Sequence, residues 1–575
     1  MKRVNLRFRS DIRAASEVFM QVLELMFSPR FIVLTLCIAV TALLVCGAIY
    51  DPEDIVLFAI PIAIFGSLSV LGIHDLLQKS HAVLRNYPIS AHIRFLLEEI
   101  RPEMRQYFFE SEKDGKPFSR DTRAVVYQRA KMVLDKRPFG TQEDVYAEGY
   151  EWMNHSVAPK PPADEHFRVT VGGPDCSKPY SASVFNISAM SFGALSPNAV
   201  RALNAGAKKG NFAHDTGEGG VSPYHRENGG DLIWEIGSGY FGCRNPDGTF
   251  NPDLFAKIAS DDQIKMIELK VSQGAKPGHG GVLPAAKVSE EISRIRGVPM
   301  GEDCISPAYH RAFATPLEMM QFIGDMRRLS GGKPVGFKLC IGHRWEFLAI
   351  CKAMVKTGIY PDFIVVDGNE GGTGAAPAEF MDHIGMPMRE GINFVHNALI
   401  GINARDRIRI GAAGKIATGF DVARAMALGA DWCNSARGFM FALGCIQSLS
   451  CHTDRCPTGV TTQDPTRNRA LVVPDKTTRV YNYHRATLHA LAELIAASGL
   501  SHPQEIQPIH FSRRISATDV LSFARLYPEL RPGELLDGHL DSPRFHAWAF
   551  AQAESFAPLP AAQPSPAVVA AAAAQ

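Results

Sequence analysis

One pattern recurs from about residue 180 to residue 500: a short apolar run ends in Gly or Ser and leads into a helical segment. The runs are VFNISAM (184–190), MIELKVS (266–272), GFKLCIG (336–342), DFIVVDG (362–368) and RIRIGAAG (407–414). Such continuous apolar character suits strands covered on both faces, which is the condition of a parallel sheet. In LSPNAVRALNAGAKK, Ser196 is placed to cap a helix and Pro197 to occupy its first position. Strand then helix, repeated, predicts a parallel α/β fold. Glycines clustered just after the strands favour a (β/α)8 TIM barrel, whose site lies at the C-terminal strand ends. A doubly wound sheet is the alternative, weakened because no GxGxxG opens the first βα unit.

Two runs near the N-terminus impose a second constraint. Residues 31–50 carry no charge, and twenty residues at 1.5 Å rise cross a hydrocarbon core of about 30 Å. After DPED (51–54), residues 55–73 repeat the pattern, with Pro61 and Gly66 of the kind membrane helices tolerate. The pair reads as a transmembrane helical hairpin. The rival reading, a signal peptide before a buried helix, lacks a small-residue cleavage site. Lys2, Arg3, Arg7, Arg9, Arg13 and Arg30 precede the hairpin, Lys79 and Arg85 follow it, and the connecting loop is acidic. The positive-inside rule then keeps both ends, and the large remainder, in the cytoplasm.

The chain divides accordingly into a basic N-terminus (1–30), the hairpin (31–75), a helical pre-domain (76–164), the barrel (165–520), a C-terminal helical segment (521–555) and a low-complexity, disordered tail (556–575). The pre-domain shows solvated charged faces and no chemistry, and APKPPA (158–163) marks its end. With 60 Lys plus Arg against 59 Asp plus Glu, no field draws in nucleic acid.

Eleven cysteines in a reduced compartment point to metal or catalysis more than to disulfides. In GCIQSLSCHTDRCPTGV, Cys445, Cys451 and Cys456 lie within twelve residues. Three thiolates suit an iron–sulfur cluster, either three-iron or four-iron with an open corner. Zinc, with His452 as fourth ligand, is the rival, although the spacing is not that of a CxxC knuckle. Three unrelated buried cysteines are the plain alternative.

GAAGKIATG (411–419) and NSARG (434–438) are turns whose backbone amides suit an anion, as the loops after strands seven and eight of such barrels do. A flavin mononucleotide phosphate fits there, and simple turn chemistry is the alternative. DTGEGGVSP (215–223), QGAKPGHGG (273–281) and DGNEGGTGAAP (367–377) are glycine-dense loops that let backbone approach a planar ligand, with Glu218, Lys276 or Glu370 pointing at it. Lys338, inside an apolar strand, is costly unless it meets an anion or the electron-rich flavin edge; snorkelling out of the strand is the alternative.

Taken together, ISAMSFGALSP (187–197), TGEGG (216–220), QGAKPGHGG (273–281), KVSEEISRIRGV (287–298), ISP (305–307), EGGTGA (370–375), GKIATGFDVARAMALGAD (414–431) and CHTDRCPTGVTTQ (451–463) resemble, in order, the FMN-binding synthase domain of glutamate synthase. The resemblance spans about residues 165–520. It implies a barrel holding FMN beside a [3Fe-4S] cluster on Cys445, Cys451 and Cys456. It also implies reductive amination of 2-oxoglutarate, through 2-iminoglutarate, to L-glutamate. Lys276 and Arg296 match positions that hold the keto-acid carboxylates, and Glu218 matches the acid where ammonia meets it. Met190, Ser191, Gly193, Lys338 and the turn Glu370, Gly371, Gly372, Thr373 would face the isoalloxazine; Gly411, Gly414, Ala436 and Arg437 would serve the phosphate.

The sequence also departs from the family. Val282 stands where the family has glutamine, His279 where it has an acid, and Arg437 where the larger enzymes carry threonine. A lost buried hydrogen-bond partner costs about 1–3 kcal/mol, enough to shift specificity. No glutaminase or NAD(P)H-binding domain is expected, so ammonia or a small amine, a separate electron-donor protein or membrane donor, and a separate amidotransferase subunit are the expected partners. Two other readings keep the fold: the same cofactors acting on a different amino acid or amine, and a non-catalytic membrane scaffold.

Overall fold

The computed structural model describes residues 26–538 and 542–560, so the basic segment before Met26 and the tail beyond Pro560 lie outside the described residues. The chain forms two compact units, Met1–Ser111 and Glu112–Gln575.

In the first unit the two apolar runs are helices, Ile32–Tyr50 and Ile55–Leu77. Both are long and apolar enough to cross a membrane, by length and composition. Small residues let them approach: Gly72 faces Leu34, and Thr41 Oγ1 lies 3.3 Å from Ser69 Oγ. The Thr41 and Ser69 hydroxyls also bond the carbonyls of Cys37 and Phe65 at 2.7 Å, so neither polar group is left unsatisfied. The buried Asp75 accepts from Ile89 N at 3.0 Å and from His92 Nε2 at 3.0 Å, tying the second apolar helix to the helix Ala91–Met104.

The second unit is built on eight parallel strands: β1 (Phe185–Ile187), β2 (His214–Asp215), β3 (Leu232–Ile236), β4 (Ile264–Lys270), β5 (Val335–Leu339), β6 (Phe363–Asp367), β7 (Arg409–Ala413) and β8 (Trp432–Ser435). They close into a barrel in chain order, with β8 beside β1. The expected barrel is therefore the fold, and five strands fall on the five apolar runs. β2, β3 and β8 escaped the sequence pattern because they are two residues long or carry Asp215, Glu235 and Asn434 among their apolar neighbours.

The helix after β1, Pro197–Gly210, begins as its sequence dictates, with Ser196 Oγ accepting from Ala199 N at 3.3 Å and proline at the first position. At the other end of the barrel an antiparallel hairpin, Arg168–Val171 with Tyr180–Ser183, contributes Val169, Val171 and Ala182 to a small core. Ile233, Met266, Phe363 and Trp432 belong to the same core, which fills the barrel floor. Within residues 112–164 lie one helix, Arg120–Lys131, and a short strand, Glu151–Met153, paired with Phe511–Arg514. Residues beyond 520 contribute short elements such as Phe523–Leu526 and a 3-10 segment, Pro543–Ala549.

Candidate active site

The loops leaving the C-terminal strand ends lean on one another, and glycine makes the approach possible. Gly217, at φ +64 after β2, sits where an added Cβ would lie 2.5 Å from Ser191 N, so the loops after β1 and β2 touch through backbone. Across the mouth, Asp367 Oδ2 accepts from Gly274 N at 2.8 Å and joins the loops after β4 and β6.

These loops line a narrow cleft bounded by Glu218, Ser238, Lys270, His279 and the Gly280–Gly281 turn. Glu218 and Lys270 pair at 2.8 Å. Burial alone would raise Glu218, but Lys270, followed by Arg296 and Lys276, holds it below the usual carboxylate range. Lys276 is buried, its ammonium has no hydrogen-bond partner among the described residues, and burial pushes it down to about 8. Arg296 reaches the same region and donates to Phe192 O at 2.9 Å and to Ser191 Oγ at 3.4 Å. The structure thus gathers Glu218, Lys276, Arg296, Met190, Ser191 and Gly193 from loops more than a hundred residues apart. Lys270, which closes the group, was invisible in sequence because it reads as the polar end of a strand.

Beneath this mouth the barrel interior is charged. Glu235 on β3, Glu268 on β4 and Asp215 on β2 bring carboxylate oxygens within 4.8 Å of one another. Lys338 on β5 pairs with Glu235 and lies 3.2 Å from Glu268. The sequence alternative of a lysine snorkelling outward does not hold, since Lys338 is 4% exposed. Burial alone would push Lys338 down; Glu235 and Glu268 hold it well above the usual lysine range. Burial, then the charge of Glu235, raises Asp215 to about 7, and burial leads the causes that raise Glu268 well above the ordinary value. Asp215 and Glu268 are thus both pushed toward their protonated forms beside the Lys338 ammonium.

On the far side, Glu370 accepts from Met388 N at 2.9 Å, which fixes the turn after β6. Arg437 donates to the carbonyl of Glu370. Burial pushes Arg437 down to about 10 and also lowers Lys415, which feels the charge of Arg437. The two cations, with Gly414 and Ala436, line the turns after β7 and β8. Gly411 lies within β7, where an added Cβ would meet the Trp432 ring at 2.7 Å, so its small size serves strand packing.

The same turn after β6 reaches the cysteines. An added Cβ on Gly374 would stand 3.1 Å from Cys451 Cβ. Cys445 is pushed up to about 12, first by burial and then by the negative charge of Cys451 and Cys456. For Cys456, burial alone would raise the thiol, but hydrogen bonds led by Thr458 Oγ1 at 3.5 Å bring it to about 7. Lys287, also unassigned from sequence, donates to Thr461 O at 2.7 Å, and its ammonium feels Cys451 and Cys456. Gln463 Nε2 donates to Gly193 O at 3.0 Å and Leu195 O at 2.9 Å, pinning the segment after Cys456 to the loop after β1.

Residues 174–501 match the family model described as the conserved region in glutamate synthase. A glutamate synthase large subunit-like protein of Bacillus subtilis (strain 168) is 38% identical over 498 residues, covering 80% of this chain and 93% of the relative. The chain belongs to the glutamate synthase family. An archaeal glutamate synthase [NADPH] of Methanocaldococcus jannaschii is 35% identical over 322 residues, 56% of this chain and 60% of the relative. The glutamate synthase [NADPH] large chain of Azospirillum brasilense is 32% identical over 324 residues, so this family member spans 20% of that chain's length. Among solved structures, a mutant flavocytochrome b2 with pyruvate bound is similar at TM-score 0.40 and 13% identity, covering 82% of this chain and 96% of the other. In this glutamate synthase family member, Val282 pairs with Ile305 in a short antiparallel ladder, and His279 sits against Phe380 at 5.3 Å.

Proposed function

We propose that this chain is an FMN and iron–sulfur oxidoreductase that reductively aminates 2-oxoglutarate, through 2-iminoglutarate, to L-glutamate. The observation that carries the reading is a buried, unpartnered Lys276 ammonium beside Arg296 and Glu218, in a mouth whose EGGTGA turn touches Cys451.

The residues fit both groups. Lys415 and Arg437 are neighbouring cations at turns rich in backbone amides, a charge pattern that suits a phosphate. Among the described residues, the one set of three ligand atoms within 4.8 Å of one another is the Asp215, Glu235, Glu268 group, so the cysteine sulfurs are spread more widely. A single tetrahedral zinc needs sulfurs only about 3.8 Å apart, and His452, its candidate fourth ligand, is exposed. That spread bears against a single zinc; the iron–sulfur assignment of Cys445, Cys451 and Cys456 rests on the match of the cysteine motif to the family.

When bound, FMN supplies hydride chemistry and a [3Fe-4S] cluster supplies a one-electron relay. Lys276 and Arg296 hold the two carboxylates of the keto acid and orient its carbonyl carbon. Glu218, kept ionised by Lys270, holds an ammonium ion or small amine where it meets that carbon and accepts its proton as the imine forms. Met190, Ser191, Gly193 and the Glu370, Gly371, Gly372, Thr373 turn would face the flavin ring. Lys338 and its carboxylates supply a fixed buried charge below.

Electrons and ammonia are supplied by a separate donor protein and, for glutamine-derived ammonia, a separate amidotransferase. The two apolar helices and their basic flanks support attachment to a membrane with the barrel facing the cytoplasm. Flavin-loaded, anaerobically prepared protein given 2-oxoglutarate, ammonium and a chemically reduced donor is expected to form glutamate. No glutamate from protein that holds flavin, iron and sulfide removes the reaction.

Val282 and His279 favour a second reading, in which the same site takes a different 2-oxo acid or amine. Val282→Gln is expected to shift a substrate panel toward 2-oxoglutarate, and an unchanged preference removes the role given to that position.

A further inference from the structure

Residues 112–131 lie outside the region that matches the family, and the proposed chemistry gives them no task. They nevertheless pack directly on the cysteine turn. Gln447, two residues beyond Cys445, accepts at Oε1 from Phe118 N (3.2 Å) and donates through Nε2 to Phe118 O (3.1 Å) and Lys116 O (3.2 Å). Its own backbone N–H is the donor to Cys445 Sγ, at 3.4 Å. Gln447 sits at φ +59, a backbone region that a residue with a long side chain adopts only when its surroundings hold it there. The three side-chain bonds are that hold.

On the next turns of the same segment, Tyr127 Oη donates to Cys445 O at 2.6 Å. Arg123, buried on the helix Arg120–Lys131, adds a positive charge felt at Cys445. Phe118 stands edge-on to Phe441 at 5.2 Å and under the Arg437 guanidinium at 4.8 Å, which closes the side of the turn to solvent.

We infer that residues 116–127 are the outer wall of the metal centre, and that Gln447 and Tyr127 are positioning residues for Cys445. They fix the direction of the sulfur and its N–H···S bond, and so set how firmly the triad grips a cluster and at what potential. Hydrogen bonds to the ligating sulfur and exclusion of solvent are two of the terms that decide an iron–sulfur potential. The inference rests on the iron–sulfur reading above.

The test uses the full chain, purified anaerobically in detergent, with iron, sulfide and flavin counted per chain. Cluster potential is followed by spectroscopic redox titration and cluster grip by the rate of iron release to a chelator. Gln447→Ala and Tyr127→Phe are expected to release iron about tenfold faster, the scale on which outer-shell partners act. Their potentials should move from the wild-type value while flavin content stays the same. Tyr127→Phe keeps the ring against Phe441 and removes one hydroxyl, so it answers the question even where Gln447→Ala does not fold. Wild-type protein holding a cluster, with both variants matching it in release rate and potential, overturns the inference alone. Wild-type protein without iron and sulfide overturns the iron–sulfur reading and the inference with it.

Discussion

Glu218 and Lys270 form a 2.8 Å ion pair at the mouth of the barrel, one from the loop after β2 and the other from the last position of β4. Both side chains are largely out of water, so each charge depends on the other. Lys270→Ala is expected to lower stability on the order of 3 kcal/mol, because it strands a charge in a poorly solvated place. Adding Glu218→Gln should recover part of that loss. Thermal unfolding of both single variants and the double variant checks this, and a double loss equal to the sum of the two single losses would show that the pair is not coupled.

Lys276 should make keto-acid binding depend on pH. Burial places its pKa at about 8, so the ammonium that attracts a carboxylate is present below that value and lost above it. Affinity for 2-oxoglutarate is expected to be flat toward pH 7 and to fall above about 8, at most about tenfold per pH unit. Lys276→Arg keeps the charge and should bind without that fall, which titrations at pH 7 and pH 9 would reveal.

Asp215 predicts a decline of stability with rising pH, over a lower window than the loss of keto-acid affinity. Its folded-state pKa, about 7, lies above its ordinary 3.8, so the folded chain holds a proton that the unfolded chain releases. Stability from this group is present below the unfolded value and is lost as pH rises toward 7. Asp215→Asn is expected to flatten the decline in unfolding temperature between about pH 4 and pH 7. Lys338→Met, which leaves three carboxylates without a counter-ion, should be far more damaging than Glu268→Gln, because Glu268 already favours its protonated form.

Gly374 separates the turn after β6 from the cysteines by one missing methyl group. Gly374→Val places its first carbon 3.1 Å from Cys451 Cβ and 3.2 Å from its backbone carbon, so the turn and the cysteine segment must part. Iron and sulfide per chain are expected to fall more than flavin. Unchanged iron would mean that Cys451 is free to shift.

The glycine turns, the three closely spaced cysteines, the two apolar runs and the capped helix at Ser196 were all legible as sequence, because each is a local property of spacing or of backbone freedom. Five of the eight strands were legible for the same reason, as apolar runs that must be covered on both faces. Two of the three that were missed, β2 and β3, carry carboxylates whose cost is offset only across the barrel, as does Glu268 on the legible β4, while Asn434 on β8 accepts from Trp432 in its own strand. Asp215, Glu235 and Glu268 each look misplaced in their own strand, and Lys338 makes sense of them from a strand about a hundred residues away. Lys270, Lys287 and the wall built by residues 116–127 were hidden likewise. Sequence alone determined the barrel, the family and the local equipment of the site, since those follow from periodicity, turn chemistry and motif order. Which charges meet, and which residues enclose the cysteines, was decided only when the barrel closed, because electrostatic pairing depends on distance in space and chain separation carries no record of it.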